Sequence, residues 1–217
     1  MPPLQTHGAS VRLFANETLE RLTFMHPRIF ALAWALMLPM IACYGWMSTR
    51  ALGGGPDLSA VFGYIGIGLL AWTLFEYAMH RFLFHWETNF APLRWLVYVM
   101  HGNHHDSPND RLRGLMPLPV SISIGGLVWL ACLALIGVYG TWVFFGFMIG
   151  YVAYDTVHYG CHHWKTRHRL FAPIRHHHMR HHFSDARKNF ATTCPFWDRL
   201  LGTCSKPSRQ RRREIKS

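Results

Sequence analysis

The sequence is short of acid. Its 217 residues carry 11 Asp and Glu against 22 Lys and Arg, a formal net charge of +11. Paired catalytic carboxylates are not in evidence, nor is the His-Glu-x-x-His motif on which many zinc hydrolases depend. A disulfide framework is missing as well. The five cysteines, Cys43, Cys132, Cys161, Cys194 and Cys204, are odd in number and scattered, with no Cys-x-x-Cys pair. That usage suits a reducing compartment on the side where Cys161, Cys194 and Cys204 lie. No secretory signal fits residues 1–27, where no apolar run with a small-residue cleavage pattern occurs. Internal repeats, low-complexity segments, haem-binding segments, flavin motifs and iron–sulfur spacings are likewise not seen. Redox chemistry on this chain would need a separate electron donor.

What the chain has in quantity is apolar residues, at half the total, with nine Trp and fifteen Phe. So basic a composition ordinarily suggests nucleic acid. Here the apolar blocks are too long for a small soluble domain, and no nucleic-acid partner is expected. Residues 29–47, 58–79, 117–139 and 141–159 each approach the ~20 residues that cross a bilayer core. Pro39 is tolerable inside such a helix. The stretch Gly53-Gly54-Gly55-Pro56 reads as a turn, and residues 137–140 join the last two spans as a tight hairpin. With four crossings, Arg50 alone among the basic residues falls on one side of the membrane. The positive-inside rule then puts both termini and the central loop in the cytosol. The expected fold is all-α: an integral membrane protein of four transmembrane helices with a cytosolic helical cap. It divides into an N-terminal segment 1–27, a catalytic unit 28–203 and a basic tail 204–217, whose run at 209–216 suits lipid headgroups.

Histidine supplies the chemistry. Ten of the sixteen histidines fall in clusters on that cytosolic side: His80 and His85, then His101, His104 and His105, then His158 and His162, then His178, His181 and His182. At i, i+3 and i+4, imidazoles share a helix face and converge. On helical spacing, His158 with His162, and His178 with His181 and His182, should each point at one place. Zinc sites take three or four ligands, so ten suggest two ions. An all-nitrogen environment suits iron, copper or zinc and excludes magnesium and calcium as the natural occupant. The few carboxylates nearby, Glu76, Asp106 and Asp155, with His163 and His177, are candidates to orient ligand rings from behind. A lone histidine is ordinarily structural, and His7, His26 and His168 read that way.

The ordered series HRFLFH, HGNHH, HxxxH and HMRHH resembles the fatty acid hydroxylase superfamily of membrane di-iron oxygenases. Within it, residues 76–85 (EYAMHRFLFH), the loop Asp110-Arg111-Leu112-Arg113 and residues 154–163 (YDTVHYGCHH) are most similar to the fatty acid 2-hydroxylases. Residues 190–203 (FATTCPFWDRLLGT) resemble a stretch shared across the superfamily. The resemblance implies two iron ions, which zinc may replace in purified protein, and dioxygen as co-substrate. It implies hydroxylation at the carbon beside an acyl carbonyl, on a fatty acid or sphingolipid drawn from the bilayer. The fused cytochrome domain usual in eukaryotic members is not seen in this sequence, so a separate b-type cytochrome or ferredoxin is the expected source of the two electrons. The basic residues Lys165, Arg167, Arg169, Arg187 and Lys188 offer such a donor a docking face. Arg111, Arg113 and Tyr154 are candidates to hold the substrate headgroup. Competing readings are a sister oxygenase acting on a carotenoid or sterol, and a non-catalytic membrane metal-binding protein.

Overall fold

A computed structural model describes residues 10–53, 55–166 and 168–205. The basic tail at 209–216, His7 and Arg167 lie outside these residues. The described chain is helical throughout its regular structure. A short α1 (Glu17–Leu22) is capped by Asn16, whose side chain accepts from Leu19 N. Pro27 at the first position opens α2 (Pro27–Arg50), and Asp57 caps α3 (Leu58–Ala78) through Ser59 N at 2.9 Å. Then come α4 (Ala91–Val97), α5 (Asn103–Asp106), α6 (Leu118–Ile136), α7 (Gly140–His163), α8 (Phe171–Phe183) and α9 (Phe196–Leu200).

Three segments are long and apolar enough to cross a membrane: Pro27–Arg50, Leu58–Phe84 and the 46-residue Leu118–His163. Their outer faces expose large apolar side chains, among them Met40, Phe62, Leu70, Leu127 and Leu135. A surface so apolar is suited to lipid rather than water. The third segment is itself two helices. Gly137, at φ +70°, ends α6, and α7 folds back along it, so that Trp129 bonds Thr141 and Ser121 bonds Tyr151.

Helix α7 is the axis of the bundle, buried along most of its length. Antiparallel to it run α6 and α2, the latter placing Gly45 against Trp142, and Phe30 and Trp34 against Tyr151. Parallel to it runs α3, in contact from Ile65 beside Gly146 to Trp72 beside Tyr154. The contact is backbone to backbone at Gly68 and Gly146, the close approach that small residues permit between membrane helices. Because α3 and α7 are parallel, His80 and His158 emerge at the same end.

Two departures from α-helix occur at that end. Met79–Phe84 and Tyr98–Gly102 are π-helical, and each carries a clustered histidine. Five steps of about 100° would leave His80 and His85 about 140° apart on an α-helix. An i→i+5 hydrogen-bonded turn instead lays one over the other.

The N-terminal strap is tied across the loop at 110–115. Asp110 accepts from Ser10 Oγ and Val11 N, and Met25 N donates to Leu112 O. Arg113 lies within this knot. It pairs with Glu20 at 2.5 Å and donates to Val11 O, Thr23 O and Thr23 Oγ1, with only 2% of its side chain exposed. Every one of those contacts is structural, in contrast to the headgroup role expected for it. A guanidinium so nearly buried requires a carboxylate partner, and Glu20 supplies it.

Candidate metal centre

The ten clustered histidines assemble into two groups of five. One is His80, His85, His101, His105 and His181; the other is His104, His158, His162, His178 and His182. In each, one ring nitrogen per residue lies within 4.8 Å of all the others. The partition cuts across the motifs: the neighbours His104 and His105 serve different groups, as do His181 and His182. Convergence of His178, His181 and His182 on one place does not occur. His178 and His182 differ by four steps and align on α8, whereas His181 is turned about 100° from His182.

The first group has the form of a coordination shell. Nε2 of His101 lies 3.1 Å from that of His80 and 3.0 Å from that of His105. Nε2 of His181 lies 3.1 Å from that of His105 and 3.0 Å from that of His85. A ring nitrogen has one proton or one lone pair in the ring plane, so it cannot hydrogen-bond two such neighbours well. Two nitrogens ~2.1 Å from one ion and at right angles to it are ~3.0 Å apart, against ~3.4 Å at tetrahedral angles. The spacing fits a shared cation better than it fits hydrogen bonds between the rings. In the second group His162 and His178 approach to 2.8 Å. Both ring nitrogens of His104 and His182, and Nε2 of His158, are buried with no hydrogen-bond partner. Buried polar atoms in that number are costly unless something binds them. The two groups share a wall, with the rings of His105 and His182 stacked 4.2 Å apart.

Several rings have their tautomer set from behind. Nδ1 of His80 donates to Phe190 O at 2.5 Å, that of His181 to Lys188 O at 2.7 Å, and that of His158 to Gly114 O at 3.2 Å. A carbonyl only accepts, so in each neutral ring Nε2 carries the lone pair and faces the group's centre. The carboxylates expected in this role bond other groups than the clustered rings. Glu76 accepts from the backbone of Thr192 and Thr193 and from the Thr193 hydroxyl. Asp155 accepts from Met116 N, and Asp106 lies beside Tyr98. His177 bonds Asp198 at 2.9 Å, while His163 packs on Tyr159 outside both groups. Asp198 and residues 190–193 lie in the stretch 190–203 that resembles the rest of the superfamily, a resemblance that carries no hint of their place behind the rings.

Burial and the charges of neighbouring imidazoles hold the rings neutral, which is the ligating form. His85 is lowered to about 4 by burial and by His181, and His105 to about 3 by burial, His181 and His85. Burial also takes His181 to about 4, against the Lys188 carbonyl, and pushes His101, His104, His178 and His182 well below 6.5. Between pH 6.5 and about 4 the unfolded chain therefore binds protons that the metal-free fold refuses. Stability should be full above that window and fall as pH falls through it. The midpoint of thermal unfolding of metal-free protein, followed from pH 7 to pH 4.5, should drop steadily.

Two clefts meet at this end of the bundle. One, of about 580 Å³, is walled by apolar side chains of α3, α6 and α7, including Trp72, Ile124, Phe147 and Met148. The other, of about 470 Å³, reaches His101, His104 and His158. Phe84, Met116, Tyr154 and Asp155 line both. Tyr154 stands at the junction with its ring parallel to that of His158. Arg111 is exposed beside Tyr159 and His163.

The family profile for fatty acid hydroxylase matches residues 65–203, the part that carries every clustered histidine. The dihydroceramide fatty acyl 2-hydroxylase FAH1 of Arabidopsis thaliana is 31% identical, over 88% of this chain and 79% of its own. The fatty acid 2-hydroxylase of Macaca fascicularis is 40% identical over 89% of this chain but 56% of its own. The chain thus spans little more than half of that relative. Among solved structures, full-length scs7p, of which only the hydroxylase domain is visible, superposes with a TM-score of 0.81 at 30% identity, covering 93% of this chain and 74% of that one. Agreement in fold, in sequence and over the stretch that builds both histidine groups has one source: the chain belongs to the fatty acid hydroxylase family.

Proposed function

We propose that this chain is a membrane oxidoreductase that hydroxylates a fatty acyl chain at the carbon next to its carbonyl, on a free acid or a sphingolipid. The relatives carry that reaction in their names. The observation that carries the reading is the junction of an apolar cleft within the bundle with two five-histidine groups at its end. His80, His85, His101, His105 and His181 hold one iron; His104, His158, His162, His178 and His182 hold the other. Each ion would be held by neutral imidazole nitrogens alone, a donor set suited to iron. Bound iron with dioxygen and two electrons supplies the oxidising power, and zinc can take its place in purified protein. The chain's own part is to bind, orient and exclude water.

C–H bonds along a saturated chain differ little, so geometry must choose among them. The alkyl chain lies along Trp72, Phe147 and Met148, and the carbonyl end turns at Tyr154 toward His101 and His104. Headgroup contacts fall to Tyr154 and Arg111, because Arg113 is occupied by Glu20. In the membrane, the hairpin of α6 and α7 makes two crossings, giving four in all, with the histidine end in the cytosol. Residues 28–203 form the catalytic unit. Lys165, Arg169, Arg187 and Lys188 dock a separate acidic electron donor, an attraction that salt should weaken.

The test is the product. Expressed in a host without hydroxylated acyl chains and supplied with isotopically labelled dioxygen, the chain should yield lipids with one labelled oxygen at position 2. Hydroxylation deep in the chain, or on a sterol or carotenoid, would overturn the substrate. No oxidised product from iron-loaded protein with a competent donor would overturn the activity.

A further inference from the structure

One stretch of backbone stands behind both histidine groups. Lys188 O receives Nδ1 of His181, and Phe190 O receives Nδ1 of His80; both rings belong to the first group. Thr192 Oγ1 lies 3.4 Å from Nδ1 of His178 in the second. The amide side of the same stretch is held by acid. Phe190 N and Ala191 N donate to the two oxygens of Asp198 at 2.9 and 2.8 Å. Thr192 N and Thr193 N donate to Glu76 Oε1 at 2.6 and 2.9 Å. Four consecutive N–H groups thus end on two buried carboxylates from different elements. Asn189, at φ +59°, turns the chain into this stretch, and its side chain is tied to Ser205 and His177 O. Asparagine tolerates that left-handed conformation better than most residues.

The connectivity matters because the C=O of one residue and the N–H of the next belong to a single planar peptide group. The peptide joining Phe190 to Ala191 takes His80 on its oxygen and Asp198 on its hydrogen. A carboxylate on the N–H side raises the electron density of the carbonyl, as hydrogen bonds in a chain polarise one another. His80 therefore faces a stronger acceptor than an ordinary carbonyl. Direct carboxylate–histidine–metal triads do the same over one bond fewer.

We propose that residues 188–192 are a shared outer template for the two metal sites, with Asp198 and Glu76 as its positioning residues. Asp198 acts on the first group through the Phe190–Ala191 peptide, and Glu76 acts on the second through Thr192. Each carboxylate serves one group. This rests on the metal reading above and goes beyond it in assigning two residues that touch no ligand ring.

The experiment uses the full chain in detergent, titrated with zinc alone at buffered free concentrations. Modification by diethyl pyrocarbonate, read by mass spectrometry, reports zinc protection of His85 and His105 for the first group and of His162 and His182 for the second. All four are half-buried; because both ring nitrogens of His182 are buried, His162 carries the reading for the second group. Asp198→Asn should demand about 10–100-fold more free zinc to protect His85 and His105, with His162 and His182 unshifted. Glu76→Gln and Thr192→Val should do the reverse, and Thr192→Ser should restore the unaltered titration. A purely structural role would shift both groups together and would not distinguish the serine variant from the valine. Equal shifts of both groups, or no shift, in Asp198→Asn or Glu76→Gln would overturn the proposal. So would second-group protection that Thr192→Val leaves intact. If Asp198→Asn does not fold, the Thr192 pair decides. Failure of zinc to protect either group in the unaltered chain would instead overturn the metal reading itself.

Discussion

Alanine at His104 should cost the chain one metal ion, and alanine at His105, its neighbour, should cost the other. The two rings lie in different groups. Each variant should purify with one ion per chain instead of two, and the residual ion should sit in opposite halves of the centre. Hydroxylation should fall at least about 1,000-fold in both. On the proposed reading each ion would supply several kcal/mol of stabilisation to the reaction, and about 1.4 kcal/mol is a factor of ten in rate. The removed ring also leaves four imidazoles crowded with no cation between them, so metal lost from one half is not recovered by the other. Metal analysis and turnover on the same preparation check this, with His26→Ala as the comparison. His26 only caps α2, through Arg28 N at 3.2 Å. Two ions retained in either variant, or both ions lost from His104→Ala alone, would contradict the partition.

The ten histidines were legible as a set because ordinary packing has no use for so many imidazoles at one end of an apolar bundle. Their division was not legible. Helical spacing places His178 near both His181 and His182, and only the orientation of α8 against α7 decides which of them shares its centre. The five-residue spacing of His80 and His85 held a clue, since it is out of phase on an α-helix and in phase on the π-helical turn that forms there. Buried acids were harder still. Glu76 and Asp155 stand near histidines in sequence, yet their oxygens end on backbone N–H groups of distant segments. Asp198 lies well past the last histidine and takes the N–H groups of Phe190 and Ala191. Charge, and a place in the loop 110–113 that resembles the 2-hydroxylases, made Arg113 look like a ligand for an anion. Its actual partner, Glu20, is remote in sequence and is brought to it by the N-terminal strap. The long apolar helices were read at nearly their observed places because their signal, a long run without charge, is local.

Replacing Gly146 by alanine should empty both metal sites at once, although the residue is far from either. An added Cβ at this position would stand 2.1 Å from Ile65 O and 2.9 Å from the Ile65 carbonyl carbon and Cα, all backbone atoms. The facing Gly68 is equally confined, at 2.0 Å from Val143 O. Neither contact can be relieved by turning a side chain, so α3 and α7 must part. Those two helices carry His80 on one side and His158 and His162 on the other, and their parallel packing sets the separation of the rings. Overpacking in a close-packed interior costs ~1–3 kcal/mol when side chains can yield. Here only backbone can move, and a loss near ~4–5 kcal/mol, the extreme for single substitutions, is expected. Thermal unfolding in detergent should show a large drop in midpoint, and metal content should fall for both groups together, unlike the selective losses at His104 and His105. Gly63→Ala is the control: nothing lies within 4 Å of the added methyl. Alanine there should leave metal content unchanged and stabilise the helix by ~0.5–1 kcal/mol. A Gly146→Ala variant as stable as Gly63→Ala, with both ions bound, would show that α3 and α7 do not meet backbone to backbone and that the site is not hung on their contact.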